Sequence, residues 1–208
     1  MRPTTRRLAL TAAVALMATA LVACNKTGAA GASAGDMTLG DPNSKVTVVE
    51  YASPSCSHCA RWNADVWPTF KAKYVDTNKV NYVFREYITP PPQLAAAGAL
   101  LARCAAKDDK AKYFSVMDAV FHAQEEIFTT GDIRGPLVRV AQSAGMTEAQ
   151  FNACVNDEAA LKALNDRVQK NGEKDKIDST PTFIVNGKKL VGEQTMENLD
   201  AAIAAASK

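Results

Sequence analysis

Apolar residues recur along this chain at two periods, and the switches between them mark out the elements. Val46-Thr47-Val48-Val49-Glu50-Tyr51 is β-branched and apolar on both faces. That pattern predicts a central strand covered on both sides, as in an α/β sheet. Ala52 to Ser55 turns the chain, and a helix follows through Arg61, Trp62, Val66 and Phe70, with Pro68 as a kink or break. Val80 to Tyr87 reads as a second strand. Strand, helix, strand at this length makes a βαβ unit with parallel pairing.

Thr89-Pro90-Pro91-Pro92 ends that strand, and helical spacing takes over. Leu94, Ala97, Leu101 and Cys104 fall on one face, and Phe114, Met117, Val120 and Phe121 on another after a polar break at Lys107 to Lys110. A short helix is expected over Leu137 to Ala144, closed by Gly145. Thr147 with Gln150 is a capping-box pattern for a helix through Phe151 and Cys154. A further helix through Leu161, Leu164 and Val168 is expected to end near Asn171-Gly172. The β pattern then returns. Thr182 to Val185 and Lys188 to Val191 flank Asn186-Gly187, a dipeptide suited to a two-residue hairpin turn. A last helix is expected from Thr195 to Ala206. No internal repeat is visible.

The first residues follow a different logic. Arg2, Arg6 and Arg7 precede an apolar stretch from Leu8 to Val22 that ends in Leu21-Val22-Ala23-Cys24. A basic start, a short apolar core and small residues before a cut are the marks of a secretory signal, and the stretch is short against the roughly 20 residues of a membrane span. The Leu-Val-Ala-Cys ending resembles the lipobox of bacterial lipoproteins, which implies that Cys24 becomes the first mature residue and carries the lipid. Asn25 to Gly40 is mostly Gly, Ala and Ser, the composition of a flexible tether. Removing residues 1–23 takes away three arginines and moves the formal charge from +2 to −1. A near-neutral mature chain with no basic run makes no case for nucleic-acid binding. About 170 residues remain beyond the tether, enough for one good core with a large insertion.

The chemistry concentrates in Cys56-Ser57-His58-Cys59. Cys56 is expected at the N-terminus of the first helix, where unpaired backbone N–H groups and the helix dipole lower a thiol pKa. His58, when protonated, adds a positive charge nearby. Both favour the thiolate-bearing reduced form and make a Cys56–Cys59 disulfide more oxidising. Cys59, one turn in, is the buried resolving thiol. Glu50 interrupts an apolar strand six residues earlier, where an unpaired carboxylate is costly, and can relay the proton of Cys59. With Cys24 acylated, Cys104 and Cys154 remain, and an exported chain is expected to pair them. Rival readings are a copper-handling lipoprotein using Cys56, His58 and Cys59, a zinc site for which Cys104 or Cys154 must fold over the CxxC, a local structural disulfide, and a non-catalytic substrate-binding lipoprotein. A c-type haem site is excluded, because Ala60 stands where the histidine must be. His122 reads as a plain helix-surface residue. From the residues alone the Thr180–Pro181 bond is expected to be trans.

Taken together, these residues resemble the DsbA-like thiol:disulfide oxidoreductases, a branch of the thioredoxin superfamily with a helical insertion. The resemblance rests on Val48-Val49-Glu50-Tyr51, Cys56-Ser57-His58-Cys59, the helical block, and Thr180-Pro181-Thr182-Phe183 before Asn186-Gly187. It implies an α/β thioredoxin-like domain over 41–89 and 172–208, interrupted by an all-helical insertion over 90–171, behind a signal peptide (1–23) and tether (24–40). It also implies roles residue by residue. Cys56 is the nucleophile that forms the mixed disulfide, Cys59 resolves it, and His58 stabilises the Cys56 thiolate. Glu50 is the buried acid, and Pro181, preceded by Thr180, is a cis-proline beside which substrate pairs as a strand. The insertion caps the active-site helix and helps form a shallow peptide groove.

The activity so implied needs no cofactor and no metal. It is an oxidase of exported proteins, with a membrane redox partner, in a monomer anchored by lipid in the periplasm or cell envelope. Ser57, where the strongest oxidases of the family have Pro, and Thr180, shared with reductases and isomerases, keep a second expectation open. That alternative is a reductase or isomerase held reduced by a membrane donor.

Overall fold

The computed structural model describes residues 31–107 and 109–208. Cys24 and the leader therefore lie outside the described residues. Five strands form one sheet: β1 (Met37–Gly40), β2 (Thr47–Ala52), β3 (Asn81–Glu86), β4 (Thr182–Val185) and β5 (Lys188–Val191), in the order β1-β3-β2-β4-β5. β2 and β3 run parallel and every other pair is antiparallel. β2 is central and buried at all six positions, as its two-faced apolar pattern requires.

Between β2 and β3 lie α1 (Ser57–Asp65), α2 (Trp67–Phe70) and a π-helical turn (Lys71–Val75). The break falls at Val66, and Pro68 sits in the first turn of α2, where its missing N–H costs nothing. Between β3 and β4 come α3 (Pro92–Ala105), α4 (Lys110–Thr130), α5 (Arg134–Ser143), α6 (Glu148–Val155) and α7 (Glu158–Asp175). α8 (Met196–Ala206) closes the chain. The capping box at α6 is present in both directions. In the hairpin turn Asn186 and Gly187 both have positive φ, 44° and 89°. The two disulfide sulfurs of Cys104 and Cys154 join α3 to α6 across 50 residues. Among the described residues no helix is long and apolar enough to cross a membrane.

Two expectations change. The stretch expected as a tether to Gly40 is structured over its last part. Met37 to Gly40 pairs with β3, Met37 opposite Phe84 and Leu39 opposite Tyr82. Just before it, Asp36 bonds the fully buried Arg85 at 2.9 Å, and Asp175 meets the same guanidinium at 2.7 Å. A buried cation requires such partners, and they come from segments far apart in the chain. Second, α7 does not stop at Asn171-Gly172, and the insertion extends past 171 with it. Gly172 lies inside the helix, with the Tyr87 ring packed beside it, and the left-handed cap is Lys176 (φ 52°).

α3 and α4 pack on each other and on the loop that leads into α1. The packing is tight at Gly98 on α3, where an added Cβ would stand 2.8 Å from the Pro54 side chain and 3.0 Å from Val120. Overpacking of this kind costs about 1–3 kcal/mol. Gly98→Ala is therefore expected to lower the unfolding free energy by that amount, read as a lower urea midpoint at unchanged m-value; an unchanged midpoint contradicts the close packing.

Candidate active site

The loop from β2 into α1 is held by polar contacts on two sides. Ser53, Ser55 and Thr89 share a hydroxyl cluster, with Ser55 Oγ donating to the Thr89 carbonyl at 2.8 Å and Thr89 Oγ1 donating to Ser53 Oγ at 2.9 Å. From the insertion, the buried amide of Gln124 on α4 donates to the carbonyls of Pro54 (2.8 Å) and Cys56 (3.2 Å). The insertion thus reaches the backbone of the reactive cysteine itself.

Cys56 is the N-cap of α1, and its Sγ accepts the Cys59 N–H at 3.3 Å. The same sulfur faces the Thr180 carbonyl at 3.4 Å, and the Thr180–Pro181 bond is cis. A second cis bond, Pro90–Pro91, lies where β3 gives way to α3. Cys56 is half-buried, Cys59 is 0 % exposed, and both are free thiols. The hydrogen bond from the Cys59 thiol pulls the Cys56 pKa down, partial burial opposes it, and the Thr180 side chain and the N–H groups of Cys59 and His58 lower it further, to about 6. Cys59 goes the other way. Burial and then the adjacent Cys56 push its pKa far above the ordinary thiol range. One sulfur is a half-buried thiolate and the other a buried proton holder.

Beneath the pair, Glu50 is 2 % exposed and takes a short hydrogen bond from the Tyr82 hydroxyl. Burial raises its pKa to about 8, against the Tyr82 bond, and the charge of Cys56 adds to the rise. Tyr82 is in turn raised well above its usual value, mainly by burial and the Glu50 charge, with Cys59 contributing. Two acids and two thiols therefore feel one another's charge. Tyr82 was not singled out from sequence, yet a signal existed: β2 and β3 are parallel with Glu50 opposite Phe84, so Tyr82 is two residues away on the same face.

His58 departs from expectation. Its backbone N–H acts on Cys56, but its ring, 61 % exposed, turns to Glu193, with Nδ1 2.5 Å from Oε1. His122 lies on the surface of α4, its Nδ1 at 2.9 Å from the Asp118 carbonyl. Cys104 and Cys154 sit apart from the reactive pair, in the insertion. A shallow depression between α1 and α4 is lined by Ser57, Ala60, Arg61, Phe121, Gln124 and Phe128, the last 48 % exposed. Among the described residues no group of three or more His, Cys, Asp or Glu is arranged to hold a metal ion.

A buried acid under a helix-capping CxxC, facing a cis-proline, invites comparison with known proteins. A family model described as Thioredoxin matches residues 32–205. A candidate protein-disulfide oxidoreductase of Rickettsia bellii is 36 % identical over 152 residues, which is 73 % of this chain and 57 % of the relative. The chain spans little more than half the length of such curated relatives. Among solved structures, alpha-DsbA1 of Wolbachia pipientis is similar with a TM-score of 0.76 at 25 % identity, covering 85 % of this chain and 92 % of that one. BdbD of Bacillus subtilis, oxidised, is similar in fold with a TM-score of 0.70 at 20 % identity, covering 83 % and 93 %. The chain belongs to the thioredoxin family, in the DsbA-like branch whose sheet is interrupted by a helical insertion.

Proposed function

We propose that this chain is an exported thiol:disulfide oxidoreductase that donates the Cys56–Cys59 disulfide to dithiols of other exported proteins. The observation that carries the reading is the opposed pair of thiols. Cys56 is a thiolate at neutral pH at a helix N-cap, and Cys59 is held as a buried thiol.

The reaction follows from that asymmetry. A substrate thiolate attacks Cys56 Sγ of the oxidised enzyme, the Cys56–Cys59 bond breaks, and Cys59 leaves as the other sulfur. A thiolate at Cys59 is strongly disfavoured by burial, so it takes a proton as it leaves. Glu50, whose burial favours the protonated form, supplies it, with Tyr82 holding the carboxyl in place. A second substrate thiolate then attacks the substrate sulfur of the mixed disulfide, and Cys56 departs as a stabilised thiolate. The substrate dithiol loses two electrons and two protons; the enzyme gains both electrons, one proton replaces the one Glu50 gave to Cys59, and the other goes to solvent because Cys56 leaves as a thiolate. Run backwards, the same steps reduce a disulfide, with Glu50 as the proton acceptor. Loss of the Cys56 charge in the mixed disulfide lowers the Glu50 pKa and prepares it for that role.

The depression between α1 and α4, with Phe128 at its rim, offers apolar contact to an unfolded segment beside Cys56. Lipidation at Cys24, the expected leader and a membrane redox partner complete the reading, as a monomeric enzyme held in the periplasm or cell envelope. The direction of electron flow is set by the potential, measured by equilibrating the domain with glutathione. A value more oxidising than that of thioredoxin, about −270 mV, is expected. A value at or below it overturns the oxidase in favour of a reductase or isomerase kept reduced by a donor.

A further inference from the structure

The loop between β5 and α8 carries a carboxylate that takes no part in the proton relay just described. Glu193 Oε1 lies 2.5 Å from His58 Nδ1 and 3.6 Å from Arg61 Nη1, both on α1. Its neighbours in sequence fix the backbone that presents it. The Gly192 N–H donates to the Pro181 carbonyl at 2.9 Å, and the Gln194 carbonyl accepts the Trp62 indole N–H at 2.9 Å. The Gln194 side-chain amide adds bonds to the carbonyls of Val191 and Gly192, each 3.0 Å. The loop is thus clamped at one end to the cis-proline and at the other to the active-site helix. Glu193 is delivered to the one side chain inside the CxxC ring that can carry positive charge.

We propose that Glu193 is a positioning residue that sets the redox poise of the Cys56–Cys59 pair through the His58 ring, an inference that rests on the thiol–disulfide reading above. Its geometry holds the ring toward the carboxylate. Its charge acts in one direction whatever the protonation of the ring. An imidazolium paired with Glu193 sums to zero, and a neutral imidazole with Glu193 sums to minus one. At a given protonation of the ring, Cys56 therefore faces a neighbourhood one charge less positive with Glu193 than without it. Arg61 opposes the carboxylate at longer range and stays in place when Glu193 is changed. Removing the carboxylate therefore favours the thiolate, stabilises the reduced form and makes the disulfide more oxidising. Exposure of His58 and Arg61, 61 % and 56 % at the side chain, keeps the effect modest through solvent screening.

The test is the glutathione equilibrium of Glu193→Gln, measured with and without His58→Ala, alongside the thiolate absorbance titration of Cys56. Glu193→Gln is expected to shift the equilibrium toward reduced enzyme by about threefold to tenfold, ~15–30 mV at 29.6 mV per decade. The Cys56 titration is expected to move to lower pH in step, with Glu193→Asp restoring both. In the His58→Ala background the Glu193 substitution is expected to produce a clearly smaller shift in both quantities, because only the carboxylate's own solvent-screened field then remains. An unmoved potential in Glu193→Gln overturns the proposal, and so does an equal shift in both backgrounds. A wild-type protein that never equilibrates with glutathione overturns instead the thiol–disulfide function on which the proposal rests.

Discussion

Cys56→Ser will abolish disulfide exchange, and Cys59→Ala will convert the protein into a trap. The two substitutions remove the same element from positions one helical turn apart, yet their environments make the outcomes different in kind. Cys56 is half-exposed, caps α1 and ionises near pH 6. Serine keeps the shape and the cap but is not ionised at this pH, so exchange with a model disulfide peptide should fall by about 10³-fold or more. Cys59 is fully buried and its thiolate is disfavoured. Alanine there leaves the Cys56 nucleophile in place and removes only the sulfur that resolves the intermediate. Mixed disulfides should then accumulate, visible as covalent adducts on non-reducing gels and released by dithiothreitol. Adducts forming in Cys56→Ser, or equal exchange rates in the two variants, would sink the assignment of nucleophile and resolving thiol.

Much of this site was legible from local pattern, because local pattern is where its physics lies. A CxxC after an apolar strand and a turn places the first thiol at a helix start, and β2 followed by α1 does so. A carboxylate in a two-faced apolar strand must be buried, and Glu50 is. Asn-Gly between apolar runs and Thr147 with Gln150 each specify their turn by backbone geometry alone. What escaped is set by contacts between distant segments. β1 is four residues long, too short for a period to register, and is held by β3 and by the charge of Arg85. Glu193 reaches His58 across 135 residues, so no spacing rule joins them. Gly172 looked like a helix cap because Asn-Gly is a common stop signal, yet the helix runs on to a left-handed cap at Lys176. The cis state of Thr180–Pro181 was legible through family likeness and not through composition.

Glu50 offers the clearest conflict between stability and chemistry, and its removal should improve one while damaging the other. Folded, the carboxyl keeps its proton up to about pH 8; unfolded, it releases it near the usual 4.5. Between those values the folded state binds more protons than the unfolded one, so stability falls as pH rises through the window. The loss is absent below about 4.5 and complete above about 8. At pH 7 a shift of this size is worth about 3 kcal/mol, taking 1.36 kcal/mol per pKa unit. Glu50→Gln keeps the volume and an acceptor for Tyr82 while removing the ionisation. Reduced Glu50→Gln should match wild type in urea unfolding near pH 4.5 and exceed it by about 3 kcal/mol at pH 7. Exchange should slow by about 10²–10³-fold, the usual worth of a positioned proton donor, because Cys59 must then leave without one. Parallel stability profiles in the two proteins would refute the burial argument, and an unchanged exchange rate would refute the relay. If both expectations hold, the strand keeps a costly acid beneath the dithiol because the buried sulfur cannot change hands without a proton beside it.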